Sequence, residues 1–153
     1  MRILCIHSAP FSFKATEKTK FAENIEPPVV AEAEAAYPVK METWAIHHGI
    51  EEAWKIVTAA NGFIEQTQPF KLAKDETQAA RLDAVLHHLA EAIVHVSVLL
   101  DPMMPSACAA IRSQLGWTLP AGFQWKDLTW GLLADGHQLG QGTPVFPRVE
   151  LKE

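Results

Sequence analysis

The sequence predicts a mainly α protein: an antiparallel helix bundle with a short N-terminal β-hairpin in front and an irregular C-terminal tail behind. Three observations predict this class. Apolar residues recur at helical spacing in two long stripes, one from Ile46 to Ile64 and one from Leu82 to Leu100. Near the N-terminus a short apolar run at 2–7 and an apolar–polar alternation at 11–16 instead read as strands. After Trp117, glycines and prolines recur too often for any long regular element.

Taken in order, Arg2 to His7 is a short apolar run suited to a buried strand. Phe11, Phe13 and Ala15 then alternate with Ser12, Lys14 and Thr16, and Pro10 sits at the turn between the two runs. Residues 2–21 therefore read as a strand pair. A lone hairpin is marginal in water, so it must dock on something or belong to a sheet that is mostly missing. Pro27 and Pro28 mark a boundary, dividing the chain into a front piece, 1–28, and a helical body with its tail, 29–153.

Residues 29–44 are helical in composition, with AEAEAA at their centre and Pro38 as an expected kink or break. Ile46, Ile50, Ala53, Trp54, Val57, Ala60 and Ile64 predict a core-facing helix over 47–66, ended by Pro69. Leu82, Val85, Leu86, Leu89, Ile93, Val96 and Leu100 predict a longer one over 76–100. Residues 106–115 form a short helix with Pro105 at its start and Gly116 at its end. In the tail, LTWGLL at 128–133 is a candidate short extended piece.

Composition narrows the function. The 153 residues carry 18 acidic and 13 basic side chains, a formal charge of -5. That charge is graded: +1 over 1–28, -2 over 29–74 and -4 over 75–153. A negative chain is poorly suited to indiscriminate nucleic-acid binding, which depends on releasing counterions from a basic face. Cys5 and Cys108 make neither a disulfide framework nor a metal knuckle, and the N-terminus lacks the length of apolar run that a secretory signal needs. The expected setting is reducing and cytoplasmic. No uninterrupted apolar run reaches the ~18 residues of a membrane span, so no membrane partner is expected.

Candidate chemistry is sparse. His88, Glu91 and His95 share a helix face opposite the leucine stripe and could ligate a divalent metal, but the spacing is not that of a zinc protease, and a solvated polar face is the better reading. His47, His48 and Gly49 read as a helix start with exposed imidazoles. Cys108 reads as a small buried residue. Gly140 and Gly142 lack the strand–helix context of a phosphate loop. There is no nucleophile elbow and no catalytic carboxylate pair, so no cofactor, metal or catalytic residue is assigned. One corner stands out. Pro69, Phe70, Lys71 and Lys74 follow the first stripe, and an exposed aromatic beside two lysines can stack an unpaired base while the lysines steady phosphates. The alternative is that Phe70 plugs the end of the bundle.

These residues carry a family resemblance. ANGFIEQTQPFKLAK, LDAVLHHLAEAIVHVSVLLDPMMPSACAAIRSQLGW and LTWGLLADGHQLGQGTPVFPRVE, within about 31–150, resemble in register the C-terminal anticodon-binding helix bundle of bacterial methionyl-tRNA synthetases. The resemblance implies a helical bundle that reads a tRNA anticodon. It places Pro69 and Phe70 on the family's Pro-Trp corner, whose Trp stacks on an anticodon base. The family's Asn-Leu-x-Asn-Arg contact text has no match here, nor do the His-Ile-Gly-His and Lys-Met-Ser-Lys-Ser texts of its catalytic half. The first 23 residues resemble the opening of the archaeal threonyl-tRNA synthetase editing domain, with Ala9 and Pro10 replacing an Asp and an aromatic. The expectation is a non-catalytic tRNA-binding-like module. The alternative is a small acidic protein-interaction module of inhibitor or antitoxin type. The partner is accordingly tRNA or another protein, and the oligomeric state is open. Deleting residues 1–28 is expected to leave most helicity in place; circular dichroism of the truncated chain checks this, and cooperative loss of the whole fold would overturn it.

Overall fold

The computed structural model describes residues 28–147, so the expected strand pair at 2–21 lies outside the described residues. Four helices of ten residues or more make up the body. They are α1 (Pro28–Glu42), α2 (Ile46–Thr67), α4 (Ala79–Leu99) and α5 (Pro105–Gln114). A single helical turn, α3 (Pro69–Leu72), and a 3-10 turn, Glu76–Gln78, link α2 to α4. Residues 116–147 follow as an irregular tail with one 3-10 turn, Trp125–Asp127. No strand occurs among the described residues.

Helices α1 and α2 form an antiparallel pair joined by three residues. Thr43 Oγ1 closes the end of α1 by donating to the carbonyls of Val39 and Lys40 at 3.0 and 3.1 Å. Trp44 turns the chain in the left-handed region at φ 59°. The pair is close because Gly49 faces α1; a Cβ there would lie 2.9 Å from Met41 Sδ. Accordingly the buried residues of α2 are Gly49, Ala53, Ile56 and Phe63, with Glu52 beside them paired to Lys55. That line overlaps the expected stripe in part: Ala53 is buried and Ile50, Ala60 and Ile64 pack against the core. Ile46 and Trp54, read as core residues, are exposed, with Trp54 at 58%. Close helix approach favours small residues at the seam, and the bulky indole is left on the outer side.

The expected break at Pro38 is absent, and α1 runs through it. A proline inside a helix cannot donate to the carbonyl four residues back, here that of Glu34. The tail supplies the missing donor. Trp125 Nε1 bonds to the Glu34 carbonyl at 3.3 Å, and the Trp125 ring stacks on Tyr37 with centroids 5.1 Å apart.

Helix α4 is the core of the bundle. Val85, Leu89, Ala92, Val98 and Leu99 join Val30, Tyr37, Ile56, Phe63 and Cys108 in one apolar cluster. Ala90 and Val94 join Leu115 and Leu133 in a second, on the tail side. Burial pushes the Cys108 thiol pKa up. Counted over the whole helix, Glu76–Leu99 is long and apolar enough to cross a membrane, although no uninterrupted run is; in this structure much of it is covered by protein.

The expectation of a solvated His88/Glu91/His95 face is wrong. Glu91 and His95 are fully buried. The Glu91 carboxylate accepts the backbone N–H groups of Gly131, Leu132 and Leu133 at 2.7, 2.5 and 2.9 Å. His95 Nε2 faces Glu91 at 3.4 Å, its Nδ1 bonds Glu34 of α1, and its ring stacks on Trp130. LTWGLL is therefore not a strand. Its backbone donors, which in a sheet would go to another strand, go to one carboxylate, and the turn at Gly131 (φ 103°) aims them there.

Helix ends are closed by the same economy. Arg112, buried on α5, donates to the Ser97 carbonyl at 3.0 Å and to Asp101 at 2.5 Å, capping α4. The last carbonyls of α5 receive Gly116 N, Trp117 N, Gly140 N and His137 Nε2. Gly116 ends α5 as expected, at φ 67°, and a Cβ there would lie 2.3 Å from the Gln138 carbonyl oxygen. Gly116→Ala should cost about 2 kcal/mol or more, from left-handed strain plus that clash. Glu91→Ala, which strands three donors and an imidazole, should cost about 3–5 kcal/mol. Urea unfolding monitored by far-UV circular dichroism measures both.

Candidate nucleic-acid interface

The corner after α2 is built by one proline. Pro69 disfavours a helical conformation at the residue before it, and Gln68 takes the left-handed region at φ 48°, ψ 57°. Gln68 N still donates to the Ile64 carbonyl at 2.9 Å, closing α2, and Thr67 Oγ1 donates to the Phe63 carbonyl. The chain then restarts with Pro69 as the first residue of α3, where its missing N–H costs nothing. Lys71 N and Leu72 N donate back to the Gln68 carbonyl at 2.7 and 3.2 Å.

Within this turn the side chains divide. Leu72 packs against the apolar core. Phe70 is 60% exposed, so it does not plug the bundle end. Lys71 and Lys74 are exposed on the same turn, and Pro69 is half-buried. Phe70, Lys71 and Lys74 are thus all open to solvent within five residues of one another along the chain. Lys71 and Lys74 are followed at once by Asp75 and Glu76. Asp75 accepts Thr77 Oγ1 at 2.6 Å and Thr77 N at 3.0 Å, and these bonds hold its carboxyl pKa below the ordinary value. Adjacent acid leaves the corner little net positive field, so any affinity for nucleic acid there depends on the ring face more than on charge.

The other candidate cluster is structural. His88 Nδ1 bonds the Ala84 carbonyl at 2.7 Å, while Glu91 and His95 are committed to the tail and α1. No group of three metal-binding side chains occurs among the described residues. Sequence reasoning missed two exposed indoles, Trp44 at 86% and Trp54 at 58%. A tryptophan directly after a helix-ending threonine was the available signal for the first; for the second, only the pairing of α1 with α2 removes it from the core.

The chain is 35% identical over 113 residues to the methionine–tRNA ligase of Caldanaerobacter subterraneus subsp. tengcongensis and 33% identical over 115 residues to that of Fusobacterium nucleatum. Each match covers 74% of this chain and 18% of the ligase, so the chain spans about a fifth of the length of the curated relatives it matches. Among solved structures, free Mycobacterium tuberculosis methionyl-tRNA synthetase superposes with a TM-score of 0.74 at 25% identity, over 92% of this chain and 29% of that one. No protein-family model matches the chain. Over most of its length, then, its homologues are segments of methionyl-tRNA synthetases.

The left-handed Gln68 is a non-glycine residue in a costly conformation. Gln68→Gly should leave the corner intact and raise stability by about 0.5–1 kcal/mol, the strain relieved less the added chain entropy. A thermal unfolding midpoint above wild type checks it.

Proposed function

We propose that this chain is a non-catalytic, cytoplasmic tRNA-binding-like module that corresponds to the anticodon-reading bundle of methionyl-tRNA synthetase and retains half of its contact surface. The observation that carries this reading is the similarity to methionyl-tRNA synthetase segments combined with the exposure of Phe70 at the turn where that family, by resemblance, presents a base-stacking Trp. Phe70 offers a π-face to an unpaired base, Pro69 sets the ring on a rigid turn, and Lys71 and Lys74 steady the flanking phosphates. Phenylalanine keeps the stacking surface but has less area than an indole and no N–H donor. The missing Asn and Arg contacts leave base identity weakly read, so the module senses an exposed loop more than a particular anticodon. No ATP or amino-acid chemistry is assigned to these 153 residues.

A gel-shift titration with tRNA at low salt tests the proposal. Wild type should bind with a Kd on the order of tens of micromolar or tighter. Phe70→Ala should weaken binding about 5- to 100-fold, and Phe70→Trp should strengthen it. Replacing Lys71 and Lys74 with Ala should flatten the salt dependence without abolishing binding. Absence of binding by wild type, together with capture of a stoichiometric protein partner free of RNA, would replace this reading with the acidic protein-interaction module.

A further inference from the structure

His95 is placed between two carboxylates. Glu34 reaches its Nδ1 from α1, and Glu91 faces its Nε2 from one turn earlier on α4. A neutral imidazole carries one N–H and one lone pair. In that form only one carboxylate is served, and the lone pair points at the other in a site with no exposed surface on the ring. The doubly protonated ring donates to both. The geometry therefore asks for an imidazolium. The same site holds the tail: Trp130 lies on the ring, Glu91 binds Gly131, Leu132 and Leu133, and Trp125 bonds the Glu34 carbonyl.

We propose that His95 is a proton-operated clasp: protonated on both nitrogens it holds residues 125–133 on α1 and α4, and loss of one proton loosens that segment while the helices stay folded. The charged groups acting on the ring are Glu34 from α1 and Glu91 from α4. The tail contributes the uncharged Trp130, which also touches His88. Glu91 in turn lies near His87, whose surroundings include Asp135 and His137.

Burial by itself would lower the His95 pKa, but its bonds to Glu34 and Glu91 and their charges outweigh it and hold the value above that of a free histidine. Such a group stabilises fully below the unfolded pKa of about 6.5, and the contribution is lost as pH rises through the higher folded value. Burial likewise opposes ionisation of Glu91, yet its bonds to His95 and three backbone donors keep its pKa below the ordinary one. Its contribution is present above its unfolded value and lost on acidification through the lowered folded value. The clasp is tightest between these limits and opens on the alkaline side.

Amide hydrogen exchange on the full chain, corrected for intrinsic rates, reads the clasp directly. Between about pH 6 and pH 9.5, protection at Gly131–Leu133 should fall roughly tenfold or more, while that of Ile56 in α2 holds. Ring nitrogen shifts at neutral pH should report His95 as imidazolium. Glu34→Gln, at the rim of the site, should shrink the pH dependence, and His95→Asn should remove it. A neutral His95 tautomer at pH 7, flat protection across the range, or a pH dependence unchanged in Glu34→Gln would each overturn the proposal. The ring-nitrogen and wild-type exchange measurements stand even if His95→Asn does not fold. None of these readouts involves RNA, so failure of the tRNA-binding reading leaves them unaffected.

Discussion

A carboxylate buried at the centre of a helix bundle is the constraint around which the rest of this structure is arranged. Glu91 has no exposed surface, and an ionised carboxylate without partners in such a place would cost several kcal/mol. It is stable there because three consecutive backbone N–H groups and one imidazole converge on it. Consecutive peptide N–H groups can reach one acceptor only if the chain bends, and the bend falls at Gly131. The carboxylate and the irregular tail thus require each other. Without Glu91 the tail has unsatisfied donors; without the tail the central helix carries an uncompensated charge.

Other open polar groups meet the same kind of partner. Pro38 deprives the Glu34 carbonyl of its helical donor, and an indole from the tail takes the place. The last carbonyls of α5 are closed by Gly140 and His137. Other helix ends are closed without the tail: Arg112 of α5 caps Ser97, and Thr43 closes α1. What looks from its composition like a loose glycine- and proline-rich end is therefore a polar complement to the helices, holding α1, α4 and α5 together where apolar packing alone would leave buried groups unpaired.

The proposed RNA corner depends on different physics. It lies where α2 stops, and its form follows from local chain geometry: a proline, a left-handed residue before it and a single helical turn after it. None of it is fully buried; Leu72 is partly buried against the core. Such a site can change its ring or its lysines at small cost to the fold. The clasp is the opposite case, since each of its groups satisfies another.

Helix positions were legible in the sequence to within a few residues because apolar spacing, Pro105, Pro69 and Gly116 act locally. Exposure of Phe70 also has a local cause, the turn set by Pro69, although only the structure excluded its use as a plug. The buried face of α2 was legible in part: Ala53 is buried and Ile50, Ala60 and Ile64 pack against the core, but Ile46 and Trp54 do not. Gly49 decides the difference by admitting α1 closely, which turns Ile46 and Trp54 outward. The reading of His88, Glu91 and His95 as one polar face went wrong for a related reason. Their spacing states that they share a side of a helix, and nothing in that spacing states what covers the side. Partners 40 residues away in the tail and 61 away in α1 do so. Sequence by itself determined which segments are helical, where they end and where an aromatic corner would stand, since those depend on neighbours along the chain. Tertiary structure alone decided which charges are buried and what satisfies them, because burial and hydrogen-bond completion are set by residues distant in sequence.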